Sequence, residues 1–407
     1  MKHQMMSNYE RDRGLFLSLA GALVCFGIVM VYSASITSWP TEFEQIYLSR
    51  HLVRLAIGVS LAYVCYLIPP RIWFKLAPAL FVVTLILLGL VLTPGLGKMV
   101  NGAQRWLQLG PLRFQPSDLA KIALPLLLAR ILCNRREKLS HWIYGTIPLL
   151  LPPLLLVPLV VIEPDLGTSL FLLFCCAITL FVGGWPLKYF VFSLLVTLPA
   201  VGSLLVLRPY QLKRITGFLE SWNDFDAAPY QLKQSLISLG SGGTFGTGLG
   251  KGWQKLSFLP EANTDFVFAV IGEELGLMGT LTVVILWLGF FLIGIKMIRK
   301  LERNSFTQIV SLTLLCQLVL QAGINMAVVT SMIPPKGIPL PLVSYGGTNL
   351  IVSLMTLGII VSLTHPEQQS IQASDKPEST PKSKIKDKPK VRVKARSEEP
   401  LSRRGAA

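Results

Sequence analysis

The sequence predicts an all-α integral membrane protein with about ten transmembrane helices. Of its 407 residues, 52% are hydrophobic and only 15% are charged, whereas ordinary soluble domains carry about a quarter charged residues. The charges are clustered, and apolar runs of roughly 17–25 residues separate them, a length that crosses about 30 Å of hydrocarbon as a helix. Backbone polar groups in lipid must be satisfied internally, and a barrel would show short alternating segments, so the runs predict helices.

Ten apolar runs follow one another along the chain. They lie at about residues 14–34, 53–69, 73–93, 118–133, 146–162, 167–184, 188–207, 266–295, 307–331 and 343–364. The first run follows Arg11 and Arg13, but it is longer than the apolar core of a cleaved signal peptide. It therefore predicts an uncleaved signal anchor.

The distribution of basic residues predicts the orientation. With the N-terminus inside, fourteen Lys and Arg residues lie in the inside segments before the tail and seven in the short outside segments. Both termini are therefore predicted to be cytoplasmic. A long extracytoplasmic loop, residues 208–264, then joins predicted helices 7 and 8, and loops of this length usually carry function.

The glycine-rich end of this loop is not a nucleotide-binding P-loop. Phe245 and Gly252 stand where that pattern needs Gly and Ser or Thr. The glycines instead predict a flexible or tightly turned segment near the membrane surface.

The chain divides into one polytopic domain, residues 1–365, and a tail, residues 366–407. The tail is rich in Lys, Pro, Ser and Glu and lacks aromatic residues, which predicts a disordered, basic, cytoplasmic segment. Its eleven Lys and Arg residues can hold it on anionic lipid or on partners, although a solvated tail has the same composition. The net charge of +16 is typical of cytoplasmic loops in a membrane protein, so no nucleic-acid partner is predicted.

Ionisable residues in or near the spans are energetically costly and are therefore candidates for function. They are Arg54, Asp118, Lys121, Glu163, Asp165, Asp265, Glu273 and Glu274. All but the last two lie near the outer ends of their helices, which predicts a polar site open to the outside. The six cysteines and four histidines show no spacing typical of a metal or redox site.

Each of these acids and bases has a structural and a functional interpretation. Asp118 lies in a helix-cap environment and is three residues before Lys121, so the two can pair. Lys121 needs either an anionic partner or an anionic ligand. Glu163 and Asp165 lie between two spans with almost no loop, where they can bind a cation, orient basic side chains or, for Asp165, cap the next helix.

Asp265 stands where the polar loop ends and an apolar run begins. Half-desolvation there can raise its pKa toward the range of a general base, although an N-cap is an equal alternative. At least one of Glu273 and Glu274 should face the bundle interior, with packing through a buried pair as the expected role. Outer basic residues suit an anionic headgroup such as a pyrophosphate, although scattered structural cations have the same pattern. These cations are Arg105, Arg113, Lys121, Lys213, Arg214 and Lys336.

Several motifs, in order, resemble the SEDS family (shape, elongation, division and sporulation), which comprises the FtsW and RodA proteins. The resemblance covers about residues 10–365, and its specificity comes from the order of the motifs together with ten spans and the long loop. The motifs are Asn101-Gly102-Ala103-Gln104-Arg105-Trp106, Phe114-Gln115-Pro116-Ser117-Asp118 with Lys121, Glu163-Pro164-Asp165-Leu166-Gly167-Thr168, Tyr230-Gln231 through Gln234-Ser235, Gly240-Ser241-Gly242-Gly243, Leu259-Pro260-Glu261-Ala262-Asn263-Thr264-Asp265-Phe266, Gly272-Glu273-Glu274-Leu275-Gly276, and Pro339-Leu340-Pro341 with Ser344-Tyr345-Gly346-Gly347.

This resemblance implies a peptidoglycan glycosyltransferase that polymerises lipid II into β-1,4 glycan strands at the outer membrane face. It places the family's essential aspartate on Asp265. Candidate substrate-binding residues are Arg105, Lys121, Lys336, Glu163, Asp165 and Ser344. A divalent cation, Mg²⁺ or Mn²⁺, is left open as a cofactor. The chain departs from the family at Asn263, where His is usual, and at Thr348-Asn349, which replaces a pair of small residues.

The resemblance is closer to the division branch than to the elongation branch of the family, although a RodA-type elongation polymerase stays open. It implies lipid II, nascent glycan, membrane lipid, a class B penicillin-binding protein and division-complex regulators as partners. The implied location is the inner (cytoplasmic) membrane at the division septum. Two functions outside glycan synthesis also stay open, a lipid II flippase and a non-catalytic scaffold. The absence of a clear internal repeat and the charges at one face favour an enzyme over a flippase. A scaffold does not explain Asp265 at a lipid boundary beside a long glycine-rich loop.

Overall fold

A computed structural model describes residues 2–35, 42–100, 103–110, 112–206, 209–256 and 258–365. The predicted basic tail, 366–407, lies outside the described residues. The described part contains twelve α-helices, with short 3₁₀ and π turns between some of them. The helices are α1 Lys2–Ser35, α2 Glu42–Leu67, α3 Pro70–Leu92, α4 Pro116–Asn134, α5 Ile147–Ile162, α6 Leu166–Val182, α7 Leu187–Val206, α8 Pro209–Glu220, α9 Tyr230–Gly242, α10 Val267–Ile298, α11 Phe306–Val329 and α12 Thr348–Thr364.

Each of the ten predicted apolar runs coincides with a helix, while α8 and α9 belong to the long loop. Six helical stretches in the described ranges are long and apolar enough to cross a membrane. They are Tyr9–Ser35, Leu48–Leu67, Pro70–Leu92, Trp142–Ile162, Val267–Ile298 and Phe306–Val329. The chain is thus a multi-pass membrane protein, and the number of ten crossings and their orientation stay predictions.

The helices α4 and α11 lie inside the bundle. Helix α11 packs against α4, α6, α10 and α12, and α4 is buried at 13 of its 19 residues. Around this core, α12 packs closely on α2, where a Cβ added at Gly358 would lie 2.1 Å from the carbonyl oxygen of Ala62. Small residues at such contacts let helix backbones approach each other in a membrane.

A three-stranded antiparallel sheet joins α3 to α4. Strands β1 Gly97–Val100, β2 Ala103–Leu109 and β3 Leu112–Phe114 pair in the order β1-β2-β3. This sheet was not predicted from the sequence, because three strands of three to seven residues produce little periodic signal beside long apolar runs. Strand β2 brings Arg105 to the end of the bundle where α4 begins.

Helix α10 is broken at Gly276, and the glycine-rich end of the long loop is built into the break. Gly276 has φ 65° and ψ −159°, so the backbone groups around it lose their helical partners. Residues 242–252, here named the glycine segment, replace those partners. The amide of Leu277 donates to the carbonyl of Gly243 at 2.9 Å, and the amide of Thr247 donates to that of Glu273 at 2.9 Å. The segment is therefore tightly turned, which is one of the two predicted conformations.

Buried polar pairs fasten the same region. The Lys255 ammonium lies 2.6 Å from Glu274 Oε1 and 2.7 Å from the carbonyl oxygen of Ser33, at the end of α1. Glu273 Oε1 accepts hydrogen bonds from the backbone amides of Trp253 and Gln254. The packing role expected for Glu273 and Glu274 is thus confirmed, because both carboxylates are buried and bound inside the protein.

We predict that Gly246→Ala destabilises the protein by about 2 kcal/mol or more, because φ is unfavourable for alanine and the backbone is crowded. Gly246 has φ 80°, and an added Cβ would lie 2.1 Å from the carbonyl oxygen of Glu274. Gly240→Ala is the matched control, since Gly240 lies in α9 with no atom within 4 Å of an added Cβ. Thermal unfolding in detergent measures both, and equal melting temperatures would contradict the role of the glycine segment.

Candidate active site

The start of α10, strand β2, the turn between α5 and α6, and the segment between α11 and α12 meet at one end of the bundle. We name the charged residues gathered there the aspartate site. They are Arg105, Asp165, Arg214, Glu261 and Asp265, together with Lys336 on the segment whose backbone lies beside Asp265. Three of the predicted site residues, Arg105, Asp165 and Asp265, act on one another electrostatically, although they come from distant parts of the sequence.

Asp265 is fixed through its backbone. The side-chain amide of Asn325 on α11 donates to the carbonyl of Asp265 at 2.7 Å and to that of Ile338 at 2.8 Å. A Cβ added at Gly337 would lie 2.9 Å from Asp265 Oδ2, so the backbone of the 336–338 segment lies beside the carboxyl group. The N-cap of α10 is Phe266, without a side-chain capping bond. The interpretation of Asp265 as a helix cap is therefore wrong.

The surroundings of Asp265 favour its protonated form. Burial raises the pKa of this carboxyl from its ordinary value to about 7, and the nearby Glu261 carboxylate adds to the rise. The Arg214 guanidinium opposes the rise, Asp165 adds to it weakly, and Arg105 opposes it weakly. The residue is half-buried, so a substrate can still reach it. A carboxyl with a pKa close to the working pH is well suited to general base catalysis.

Arg105 and Asp165 form the polar rim next to this carboxyl. Arg105 donates to the carbonyls of Glu163 and Pro164 and lies 3.7 Å from Asp165 Oδ2. Asp165 caps α6 by accepting a hydrogen bond from the Thr168 amide at 3.0 Å. The capping and pairing roles expected for Asp165 are thus confirmed. The Arg105 side chain keeps 32% of its surface exposed, so part of the guanidinium remains open to an anion.

Glu163 is fully buried, and neither carboxyl oxygen has a hydrogen-bond partner among the described residues. Burial and the neighbouring Asp165 raise the pKa of Glu163 to about 8, so the group is mostly protonated at neutral pH. Within the described ranges, no group of three or more His, Cys, Asp and Glu residues is arranged to hold a metal ion. The residues therefore do not form a protein cage for a divalent cation.

Lys121 and Ser344 have partners inside the protein. The Lys121 ammonium lies 2.7 Å from Asp118 Oδ1 and 3.4 Å from Asn349 Oδ1, and its side chain is only 8% exposed. The expected pairing of Asp118 with Lys121 is confirmed. The Ser344 hydroxyl is buried and accepts a hydrogen bond from the Leu340 amide at 2.8 Å. Both residues hold the fold that surrounds the aspartate site.

Lys336 differs from Lys121. It immediately precedes Gly337, where an added Cβ would lie 2.9 Å from Asp265 Oδ2, and it is half-buried. In the part of the chain that the structure describes, its ammonium makes no hydrogen bond or ion pair. Burial lowers the pKa of Lys336 from its ordinary value. Its position favours binding of an anion beside the Asp265 carboxyl.

Two amides of α11 that organise this end of the bundle were not among the predicted site residues. Gln321 donates to the carbonyl of Pro339 at 3.1 Å and to Asn349 Oδ1 at 2.8 Å, while Asn325 holds Asp265. Their spacing carried a signal, because Gln321 and Asn325 are four residues apart and share one face of an apolar helix. Polar amides in spans bind across helix interfaces, just as charged residues do.

The chain is similar to proteins of one family along most of its length. The family model for FtsW, RodA and SpoVE, described as cell cycle proteins, matches residues 13–369. A probable peptidoglycan glycosyltransferase FtsW of Geobacter sp. (strain M18) is 38% identical over 352 residues, covering 86% of this chain and 96% of the relative. The corresponding Legionella pneumophila protein is 37% identical over 358 residues, covering 87% and 91%.

Two solved structures have the same fold. One chain of a peptidoglycan synthase complex, in which polymerization and crosslinking are coordinated, is 29% identical with a TM-score of 0.70, covering 86% of this chain and 96% of that one. The rod shape determining protein RodA of Thermus thermophilus is 30% identical with a TM-score of 0.64, covering 86% and 95%.

We predict that Asp265→Asn stabilises the folded protein more at pH 8 than at pH 5. The folded-state pKa of about 7 lies above the unfolded value, so the native state holds its proton more tightly. Wild-type stability then falls as the pH rises through the interval from about 4 to 7. Asparagine cannot ionise, so the variant does not lose this stability. Melting temperatures of variant and wild type at the two pH values measure the difference.

The matched control is Glu220→Gln, which removes an exposed carboxylate on α8. It should shift the melting temperature equally at both pH values. An Asp265→Asn shift that does not depend on pH would contradict the raised pKa.

Proposed function

Because the chain belongs to the FtsW, RodA and SpoVE family of cell cycle proteins, we propose that it is a peptidoglycan glycosyltransferase with Asp265 as its general base. The observation that carries this proposal is the Asp265 carboxyl, which has a pKa of about 7 and lies at the start of a membrane-spanning helix. The substrate is lipid II, a disaccharide-pentapeptide on undecaprenyl pyrophosphate. The product is a β-1,4 glycan strand.

The reaction joins two lipid-linked sugars at the outer face of the membrane. The GlcNAc 4-hydroxyl of lipid II attacks the anomeric carbon of the growing glycan. A new carbon–oxygen bond forms with inversion as the bond to the undecaprenyl pyrophosphate breaks. Asp265 takes the proton of the attacking hydroxyl. General base catalysis of this kind typically raises the rate by about 10²–10⁴-fold. Holding both substrates at one membrane surface supplies the orientation.

The leaving pyrophosphate needs positive charge, and the aspartate site offers it. Lys336 directly precedes Gly337, whose backbone lies beside Asp265, and its ammonium has no protein partner among the described residues, while Arg105 has an open face. We assign charge neutralisation to these two residues. Lys121, expected from the sequence to share this work, already pairs with Asp118 inside the bundle, so its role here is structural.

A divalent cation stays a proposal. Mg²⁺ usually keeps several waters and binds through one or two carboxylates together with substrate phosphates, which does not require a protein cage. Of the carboxyls around the aspartate site, Glu261 accepts a hydrogen bond from the Thr264 hydroxyl, Asp165 binds Thr168 and Arg105, and Glu163 is mostly protonated at neutral pH.

The partners and location follow from the relatives. The similar peptidoglycan synthase complex combines polymerization with crosslinking, which supports a class B penicillin-binding protein as the crosslinking partner of this chain. The relatives that are 35–38% identical carry the name FtsW, which supports septal synthesis in the inner (cytoplasmic) membrane under division-complex regulators rather than elongation. The substrate side of the reaction involves lipid II, nascent glycan and membrane lipid.

We predict that Asp265→Asn abolishes polymerisation of labelled lipid II by the purified chain together with its cognate transpeptidase. The amide cannot accept the proton, so the rate should fall by at least about 10²-fold. The wild-type rate should rise with pH around a midpoint near 7, because the base must be ionised. Glycan length on gels measures the product.

Equal polymer from wild type and a well-folded Asp265→Asn variant would remove Asp265 from the mechanism. If neither protein makes polymer while wild type moves lipid II across vesicle bilayers, the flippase function replaces the transferase. If neither activity occurs with the partner present, the chain is a scaffold.

A second pair of variants separates the two lysines. Lys336→Gln should lower the polymerisation rate by about 10²-fold with an unchanged melting temperature, because charge on the leaving group is lost. Lys121→Gln should lower the melting temperature, because it leaves the Asp118 carboxylate buried without its cation. An unchanged rate in Lys336→Gln would contradict the assignment of Lys336.

A further inference from the structure

An open depression of about 410 Å³ lies where α3 begins, α4 ends and α11 begins. Four basic residues from three separate segments line it: Arg71, Lys75, Arg136 and Arg303. Only one acid, Glu302, lines it with them. The lining therefore carries an excess of three positive charges.

This depression is at the opposite end of the bundle from the aspartate site. Helix α11 starts at Phe306, which lines the depression, and reaches Asn325, which binds Asp265, about 28 Å further along its axis. That distance is close to the thickness of the hydrocarbon core, about 30 Å. The depression therefore lies at the other membrane surface, the one predicted to be cytoplasmic.

Three of the cations are available to a ligand. Among the described residues, the side chains of Lys75, Arg136 and Arg303 make no hydrogen bond or ion pair, and all three are exposed. The excess of basic residues in cytoplasmic loops explains why cations occur at this surface. It does not explain why three segments far apart in the sequence bring their cations around one hollow with a single acid.

The inner part of the depression is apolar. Phe74 and Phe306 line it and pack edge to face, with ring centroids 5.1 Å apart. The guanidinium of Arg130 lies 5.1 Å from the centre of the Phe74 ring and donates to the carbonyls of Phe74 and Lys75. The start of α3 is thereby held in place against α4. A charged rim above an apolar floor, at the membrane surface, matches a phosphate group attached to the first carbons of a lipid.

We propose that this depression binds the phosphate of an anionic phospholipid from the inner leaflet. Basic pockets between transmembrane helices at the cytoplasmic side are suited to such headgroups. The lipid phosphate lies among Lys75, Arg136 and Arg303, and its glycerol end lies over the two phenylalanines. Soluble phosphate is also an anion but gains nothing from the apolar floor.

The test uses the purified full-length chain in detergent, with equal amounts of phosphatidylglycerol and phosphatidylcholine, and counts retained lipids by native mass spectrometry. The number of phosphatidylglycerol molecules retained by each wild-type chain should exceed the number of phosphatidylcholine molecules by one. The variant Lys75→Gln/Arg136→Gln/Arg303→Gln should bind phosphatidylglycerol at least about tenfold more weakly. Lys75→Arg/Arg136→Lys/Arg303→Lys keeps the charge and should keep the lipid, which separates lost binding from lost folding.

Arg11→Gln/Lys138→Gln/Arg299→Gln is the matched control, because it removes three exposed charges from the same end of the molecule outside the depression. It should retain the lipid. Equal phosphatidylglycerol binding by wild type and the depression variant would overturn the proposal, as would equal loss in the control. Displacement of the lipid by millimolar inorganic phosphate would overturn the lipid assignment in favour of a soluble phosphate. None of these outcomes depends on glycan synthesis.

Discussion

Lipid cannot solvate polar groups, and this constraint decides where almost every charge of the bundle lies. Lys255 pairs with Glu274 at the end of α1, Lys121 pairs with Asp118 at the start of α4, and Asp12 is buried between Lys296 and Lys300 at the far end. The same rule applies to backbone: the break in α10 persists because the glycine segment binds the freed amides and carbonyls. Against this background, Lys336 is the exception that indicates chemistry, because its half-buried ammonium has no protein partner among the described residues and its segment lies beside Asp265.

Much of this architecture could be predicted from local pattern. The ten apolar runs gave the positions of the helices, and the spacing of Asp118 and Lys121 gave their pair. The cap formed by Asp165 followed from its place directly before α6. What local pattern could not supply is proximity across the bundle. Arg105 on β2 and Asp265 before α10 meet because of long-range packing, and only the resemblance to the family indicated that both belong to one site. The sheet and the break at Gly276 were not predicted, because each depends on a few residues that show no periodic pattern.

In the aspartate site, the backbones are fixed by hydrogen bonds while the reactive side chains remain open to a substrate. Asn325 and Gln321, on one face of α11, fix the backbones of Asp265 and of the segment that carries Lys336. Fixing the backbone leaves the reactive side chains free to face a substrate, so the positions are set before binding. Such preorganisation is the main contribution a protein makes to charge stabilisation during group transfer. The base function of Asp265 then follows from burial and neighbouring charge rather than from any unusual residue.

The broken helix has a consequence for how α10 fits the membrane. An unbroken α10 of 32 residues would be about 48 Å long, more than the roughly 30 Å of hydrocarbon that one helix needs to cross. Residues after Gly276 suffice for that crossing by themselves. The part before it, with Glu273 and Glu274, lies outside that crossing and is held by the glycine segment and by Lys255 beside α1. The break therefore lets one helix serve two environments: its first part builds the protein-bound catalytic end, and its second part crosses the lipid.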